Sequence, residues 1–230
     1  TTIHGFSSSK IIPVYKRYND VGYYVSISYA NRSPLLRYAA NVYNGIRTKD
    51  FTLQTSPDDY LLYFGRIHPD KGTADAIKIA QATGHRLIIA GIIQDEGYYQ
   101  EKVRPFVDGK KVIFAGPVGG AERSQVLGNA KALLHPIYFE EPFGLSVAEA
   151  MLCGTPVIAY HRGSMAELIQ HGKTGFLVHD MQQAIDCIAQ LPGINRTYCH
   201  THAKAQFSQE KMVEGYLELY KQILGENVKF

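Results

Sequence analysis

From residue 60 onward, short apolar runs alternate with helical patterns, and glycine or proline closes most of them. Tyr60 to Phe64, Arg86 to Ala90, Lys111 to Ala115, Ala132 to His135, Pro156 to Ala159 and Gly175 to Val178 are each four or five residues long. They are apolar with little alternation. A strand without a polar face has to be covered on both sides, which is the environment of a parallel sheet between helices. Between the runs lie helical patterns: Ala74 to Ala80 stopped by Gly84, Tyr98 to Val107 interrupted near Pro105, Ala121 to Ala130, Gly144 to Leu152 and Met165 to Gln170. Parallel strands need crossover connections, so this alternation predicts an α/β domain with a doubly wound parallel sheet. From Met181 to Leu224 the chain reads as a helical tail, with Met212, Val213, Tyr216, Leu217 and Tyr220 at i, i+3, i+4 spacing.

Residues 1–46 have a different texture. Thr1 to His4, Tyr23 to Ile27 and Asn41 to Tyr43 read as strands, Ala30 to Tyr38 as a short helix, and Asn44-Gly45 as a turn signal. The stretch looks like the closing portion of another α/β domain without its opening strands. It is also the basic part of the chain. Lys10, Lys16, Arg17, Arg32 and Arg37 face only Asp20, while the remainder holds 19 bases against 20 acids, for a net charge of +3. That is too little for a dedicated nucleic-acid binder. A solvated basic face is the plain explanation, and peripheral contact with a membrane surface or an acidic acceptor is the sharper one.

Two segments carry chemistry. Glu140 to Met151 follows a strand and opens a helix, the place where open α/β sheets bind ligands. Pro142 suits a first helical position, which would put Glu141 at the cap, although Glu is a poor cap. Gly144 would let a ligand approach the backbone, the first-turn N–H groups would face an anion, and Glu149 would point back toward the helix start. Acids near a helix N-terminus are read equally well as partners of the macrodipole. The second segment, Gly65 to Gly72, places Arg66 and Lys71 between a strand end and a helix start, where two bases can neutralise a diphosphate. It is neither a P-loop nor a GxGxxG fingerprint.

Taken together, these residues resemble a retaining glycosyltransferase of family 4 with the GT-B fold. The similarity rests on Gly65-Arg66-Ile67 with Lys71-Gly72, on Glu141 to Leu145 with Glu149, on Gly154 to Ala159, and on Gly163, Glu167, Gly172 and Thr174 to Val178. The resemblance implies that Arg66 and Lys71 bind the diphosphate of a nucleotide sugar, with Gly65 beside them. Glu149 would accept hydrogen bonds from the ribose. Glu141 and the backbone amides of Phe143, Gly144 and Leu145 would hold the donor sugar and phosphate. The turn at Gly116, Pro117 and Val118 would lie along the nucleobase, and His4 would contact the sugar from across the cleft. Catalytic roles fall to Glu141 and His4. Residues 1–46 become the remnant of an N-terminal, acceptor-side domain that crosses over at Asn44 to Ile46, and residues 47–230 the C-terminal nucleotide-sugar domain. The chain opens on Thr1, and the resemblance calls for well over a hundred residues ahead of His4. A fragment, a processed piece or a subunit completed by a second polypeptide is therefore expected.

No cofactor is expected beyond the nucleotide sugar, with UDP favoured over GDP or ADP. No Asp-x-Asp triplet is present to hold a divalent ion, so a metal-independent reaction is expected. Cys199, His200 and His202 lack a partner pair at zinc spacing. A non-catalytic nucleotide-sugar-binding module is the alternative. A glycoside hydrolase could use two carboxylates but has no use for Arg66 and Lys71. Three cysteines without a CxxC suit a reducing compartment, hence a cytoplasmic protein. The longest apolar run, Leu87 to Ile93, is far short of the roughly 20 residues of a membrane-spanning helix.

Overall fold

The computed structural model describes residues 1–5, 8 and 10–225. Two parallel sheets form. The first is small, with β1 (Thr2–Ile3), β2 (Tyr24–Ser26) and β3 (Tyr38–Asn41) in the order β1-β2-β3, and a short helix α1 (Ile12–Lys16) between its first two strands. The second has six strands: β4 (Tyr60–Phe64), β5 (Arg86–Ala90), β6 (Val112–Gly116), β7 (Ala132–His135), β8 (Val157–Tyr160) and β9 (Gly175–Val178). Helices α2 (Thr73–Thr83), α3 (Glu96–Tyr98), α4 (Gly120–Asn129), α5 (Leu145–Leu152) and α6 (Met165–Leu168) alternate with them, and α7 (Met181–Ile188), α8 (Arg196–Phe207) and α9 (Gln209–Leu224) follow.

The six-stranded sheet runs β6-β5-β4-β7-β8-β9, all parallel. The strand order reverses between β4 and β7, and such a switch point opens a crevice at the strand carboxyl ends. The doubly wound α/β expectation holds. Its cause is visible in Leu61, Leu62, Leu87, Ile89, Leu133 and Val157, which are wholly buried. Helix ends follow local chemistry. Asp180, Asn195 and Ser208 cap α7, α8 and α9 by accepting backbone N–H bonds, and Gly84 ends α2 in the left-handed region. The pattern from Tyr98 to Val107 is broken as expected, into a π-turn over Tyr99–Val103 and a 3-10 turn over Arg104–Phe106.

Three expectations for the N-terminal stretch fail. Ala30 to Tyr38 is not a helix but a series of turns, and Tyr38 begins a strand. Pro34 favours that outcome, and the side chain of Asn19 ties the segment down by bonding the Leu35 carbonyl and the Arg37 N–H. The third strand is accordingly Tyr38–Asn41, ahead of the expected Asn41 to Tyr43. Asn44-Gly45 does not turn. The Ile46 N–H bonds the Phe207 carbonyl at 2.8 Å and the Gln209 N–H returns to the Ile46 carbonyl at 2.9 Å, which draws the segment out as a bridge beside α9.

The two sheets are tied by specific contacts. Val25 of β2 and Val42, just after β3, bury themselves against Leu219 of α9. At α6, the Glu167 carboxylate accepts N–H bonds from Tyr29 and Ala30 at 2.9 and 2.7 Å and the Tyr43 hydroxyl at 3.0 Å. No helix of the described residues is long and apolar enough to cross a membrane.

Candidate functional site

A cleft of about 510 Å³ opens at the carboxyl ends of β4 and β7. The β4 end supplies Gly65 and Arg66, and the Tyr63 hydroxyl holds this corner by donating to the Arg66 carbonyl at 2.6 Å. Beyond it, a single 3-10 turn (Pro69–Lys71) is capped by His68 and delivers Lys71. The Lys71 Nζ lies 4.3 Å above the Phe139 ring and 2.8 Å from Glu141 Oε2, and both side chains of this ion pair are 14% exposed.

The β7 end supplies the loop from Glu141 to Gly144. Three bonds from elsewhere in the chain hold it: Ser28 Oγ to the Pro142 carbonyl at 2.6 Å, Ser164 Oγ to the Phe143 carbonyl at 2.7 Å, and Ser164 N–H to the Glu141 carbonyl at 2.9 Å. Helix α5 then begins at Leu145, with Gly144 as its N-cap at φ +88°. The expectation that Pro142 is the first helical residue and Glu141 the cap is therefore corrected. Ser28 and Ser164 hold the loop outside the helix, and the left-handed turn at Gly144 starts it three residues later. The early N–H groups of α5 lack intrahelical acceptors and lie at the cleft, a natural place for an anion.

Of the expected residues, His4, Gly65, Arg66, Lys71, Glu141, Phe143, Gly144 and Leu145 all line this cleft. His4, just past β1, reaches it from the first sheet. Pro117, Val118 and Glu149 do not line it. Pro117 and Val118 follow β6, which is the outermost strand and two removed from the switch point. Glu149 is 6% exposed and ion-paired to Arg123 of α4. Burial pushes its carboxyl up to about 7 against the pull of that guanidinium. The Arg66 guanidinium is likewise engaged, by the Gln94 side chain.

Arg123 was not anticipated. It lines the cleft, lies 5.2 Å over the Phe64 ring and neutralises Glu149. The available signal was a base in the first turn of a helix that follows a strand carboxyl end and two glycines. His135, which reads from sequence as a core-edge residue, is buried and also faces the cleft. A larger cleft of about 730 Å³ lies on the other side of Arg123, between α4 and residues 47–54, away from Lys71 and Glu141. The switch-point cleft is the stronger candidate because it gathers the paired charges and the helix N-terminus. Cys199 is fully buried inside α8, so Cys199, His200 and His202 do not form a surface cluster. The described residues contain no group of three or more His, Cys, Asp or Glu arranged to hold a metal ion.

Residues 47–191, more than half of the chain, match the family described as glycosyl transferases group 1. Among curated relatives, an uncharacterized glycosyltransferase of Methanocaldococcus jannaschii is 29% identical over 157 residues, covering 60% of this chain and 40% of the relative. A D-inositol 3-phosphate glycosyltransferase of Acidothermus cellulolyticus is 28% identical over 187 residues, covering 72% and 41%. The chain thus spans about two fifths of the length of these relatives. Among solved structures, a glycosyltransferase involved in avilamycin A biosynthesis superposes with TM-score 0.74 at 27% identity, over 88% of this chain and 63% of the other. The Anabaena protein HepE, solved with UDP-glucose, superposes with TM-score 0.76 at 22% identity, over 98% and 71%. The architecture is that of the GT-B glycosyltransferases.

Proposed function

This chain belongs to the glycosyl transferases of group 1, and on that premise we propose that it is the donor-binding part of a retaining, metal-independent glycosyltransferase of family 4. It moves a sugar from a nucleoside diphosphate, UDP first among them, to an acceptor. One observation carries the proposal: Lys71, Glu141, Arg66 and the start of α5 converge on one cleft at the switch point, with His4 facing them from the other sheet. Residues 1–46 are in this view the end of an acceptor-side domain, and the whole protein supplies the rest of the acceptor site.

The chemistry follows from the charges. Departure of a nucleoside diphosphate builds negative charge on the bridging oxygen. The N–H groups of the first turn of α5 are preorganised to stabilise that charge, joined by Lys71 as it turns from Glu141 and Arg66 as it turns from Gln94. Glu141 sits beside Lys71, so its carboxylate faces the sugar when the ammonium faces the phosphates. It accepts hydrogen bonds from sugar hydroxyls and is, among the described residues, the carboxylate lining the cleft that could serve as a nucleophile. The carboxylate of Glu149 serves the ribose once Arg123 yields it. UDP is the first ligand to test, because HepE was solved holding UDP-glucose.

Calorimetry of this chain with UDP, GDP and ADP tests the proposal. Saturable binding of one of them is expected, and no heat from any of the three at millimolar concentration would refute it. In the longer protein, Glu141→Gln should abolish transfer from a radiolabelled donor while leaving nucleotide binding nearly unchanged.

A further inference from the structure

His135 ends β7 at the bottom of the cleft. It is 5% exposed, yet it lines the cavity. Its Nε2 is buried and has no hydrogen-bond partner among the described residues. A buried polar atom without a partner is rare enough to need a reason. A carboxylate oxygen, Glu141 Oε2, lies 3.9 Å away, just beyond hydrogen-bond range. That same oxygen is held at 2.8 Å by the Lys71 ammonium. Burial, with Lys71 adding to it, pushes the titration of His135 down to about 3, so the ring is neutral near pH 7 and carries a single N–H. Nε2 is the ring nitrogen that faces the acceptor-only carboxylate, and the tautomer with its N–H there presents a donor to it.

This arrangement has one oxygen and two donors, of which only one is engaged. The inference rests on the proposed donor site. A diphosphate entering the cleft competes with Glu141 for the Lys71 ammonium. As Lys71 turns to the phosphates, the Glu141 carboxylate loses its counter-ion in a place where it is only 14% exposed. It then needs a donor that does not carry a competing charge. We propose that His135 is a positioning residue that takes over the Glu141 carboxylate when Lys71 turns to the diphosphate and holds it toward the donor sugar. The closure required is about 1 Å, within a small side-chain rotation. In this arrangement His135 acts on the donor through Glu141, so its contribution is weighted to the sugar.

The readout is the ratio of affinities for a UDP-sugar and for UDP. The probes are UDP, UDP-glucose, UDP-galactose and UDP-N-acetylglucosamine, titrated by calorimetry at pH 7.5 into the wild-type chain, His135→Phe and His135→Gln. Phe fills the same space without a donor, and the Gln amide places an N–H near the position of Nε2. The wild type should bind its best UDP-sugar more tightly than UDP. His135→Phe should cut that preference by about tenfold, the scale of one hydrogen bond to a charged group; the Kd for UDP moves less, because with the sugar position empty water reaches the released Glu141 carboxylate. His135→Gln should restore most of it. A preference unchanged in folded His135→Phe, or lost equally in His135→Gln, overturns the inference. So does a wild type that binds UDP and every UDP-sugar alike. Failure of the wild type to bind any of UDP, GDP and ADP instead refutes the donor site itself, and a chain that takes GDP or ADP is titrated with that nucleotide and its sugars in the same design. Where His135→Phe does not fold, His135→Asn, whose amide is too short to reach, replaces it against the same His135→Gln.

Discussion

Gly163 lines no part of the cleft, yet one methyl group there should disable it. It lies between β8 and α6 at φ +54°. A Cβ at this position would stand 2.4 Å from both the backbone N and O of Glu141, so no flexible side chain is there to give way. The left-handed backbone costs alanine about 1–2 kcal/mol. The Glu141 backbone must recede by about 1 Å to reach ordinary contact, an overpacking cost of about 1–3 kcal/mol. The bond from Ser164 N–H to the Glu141 carbonyl, now 2.9 Å, stretches with it and forfeits about 1 kcal/mol. Gly163→Ala should therefore lose about 3–6 kcal/mol of stability. Gly172 is the control. Its φ is +75° and a Cβ there would meet nothing within 4 Å, so Gly172→Ala should lose only the backbone part, about 1–2 kcal/mol. Urea unfolding of both variants measures the difference. Calorimetry then asks for the second consequence: a shifted Glu141 leaves Lys71 and weakens UDP-sugar binding in Gly163→Ala alone. Equal unfolding midpoints for the two variants would refute the steric reasoning.

Three further outcomes are expected. Arg66→Ala and Lys71→Ala should each weaken UDP binding by about 1.5–3 kcal/mol in calorimetry, Lys71→Ala the more, because it leaves the Glu141 carboxylate facing the phosphates without its counter-ion. Arg123→Met should destabilise the chain by about 2–4 kcal/mol at pH 8.5, where it strands a buried Glu149 carboxylate. Because the folded pKa of Glu149 is raised, to about 7, the penalty should shrink as pH falls toward 5 and the group protonates, and equal losses in denaturant at both pH values would contradict this. The depressed titration of His135, about 3 against an ordinary 6.5, means that the unfolded chain takes up a proton which the folded chain refuses. Stability from this group is full well above pH 6.5 and is lost as pH falls below it, most steeply between the two values, and His135→Gln should flatten the slope in pH-resolved unfolding.

What the sequence determined by itself is local. Tyr60 to Phe64, Arg86 to Ala90, Ala132 to His135 and Gly175 to Val178 are strands in the fold with the bounds that their apolar runs mark. A run apolar on both faces can only be buried on both faces, so the parallel sheet was legible before any coordinate. The loops after β4 and β7 were legible as the chemical ones, because glycine, bases and acids interrupt the apolar pattern where a strand hands over to a helix. Where local signals were ambiguous, distant contacts decided. Asn44-Gly45 has the composition of a turn, but Ile46 pairs with a strand-like edge at Ser208, more than 160 residues later. Pro142 has the composition of a helix start, but Ser28 and Ser164 hold its loop open. The sequence likewise carries no sign of the strand order that puts β4 beside β7, nor of the pairing of Lys71 with Glu141 across 70 positions or of Arg123 with Glu149 across 26. Periodicity reports which face of an element is apolar, and that depends on neighbours three or four residues away. A carboxylate's partner and its solvation depend on which other element is laid against it, and only the packed chain fixes that.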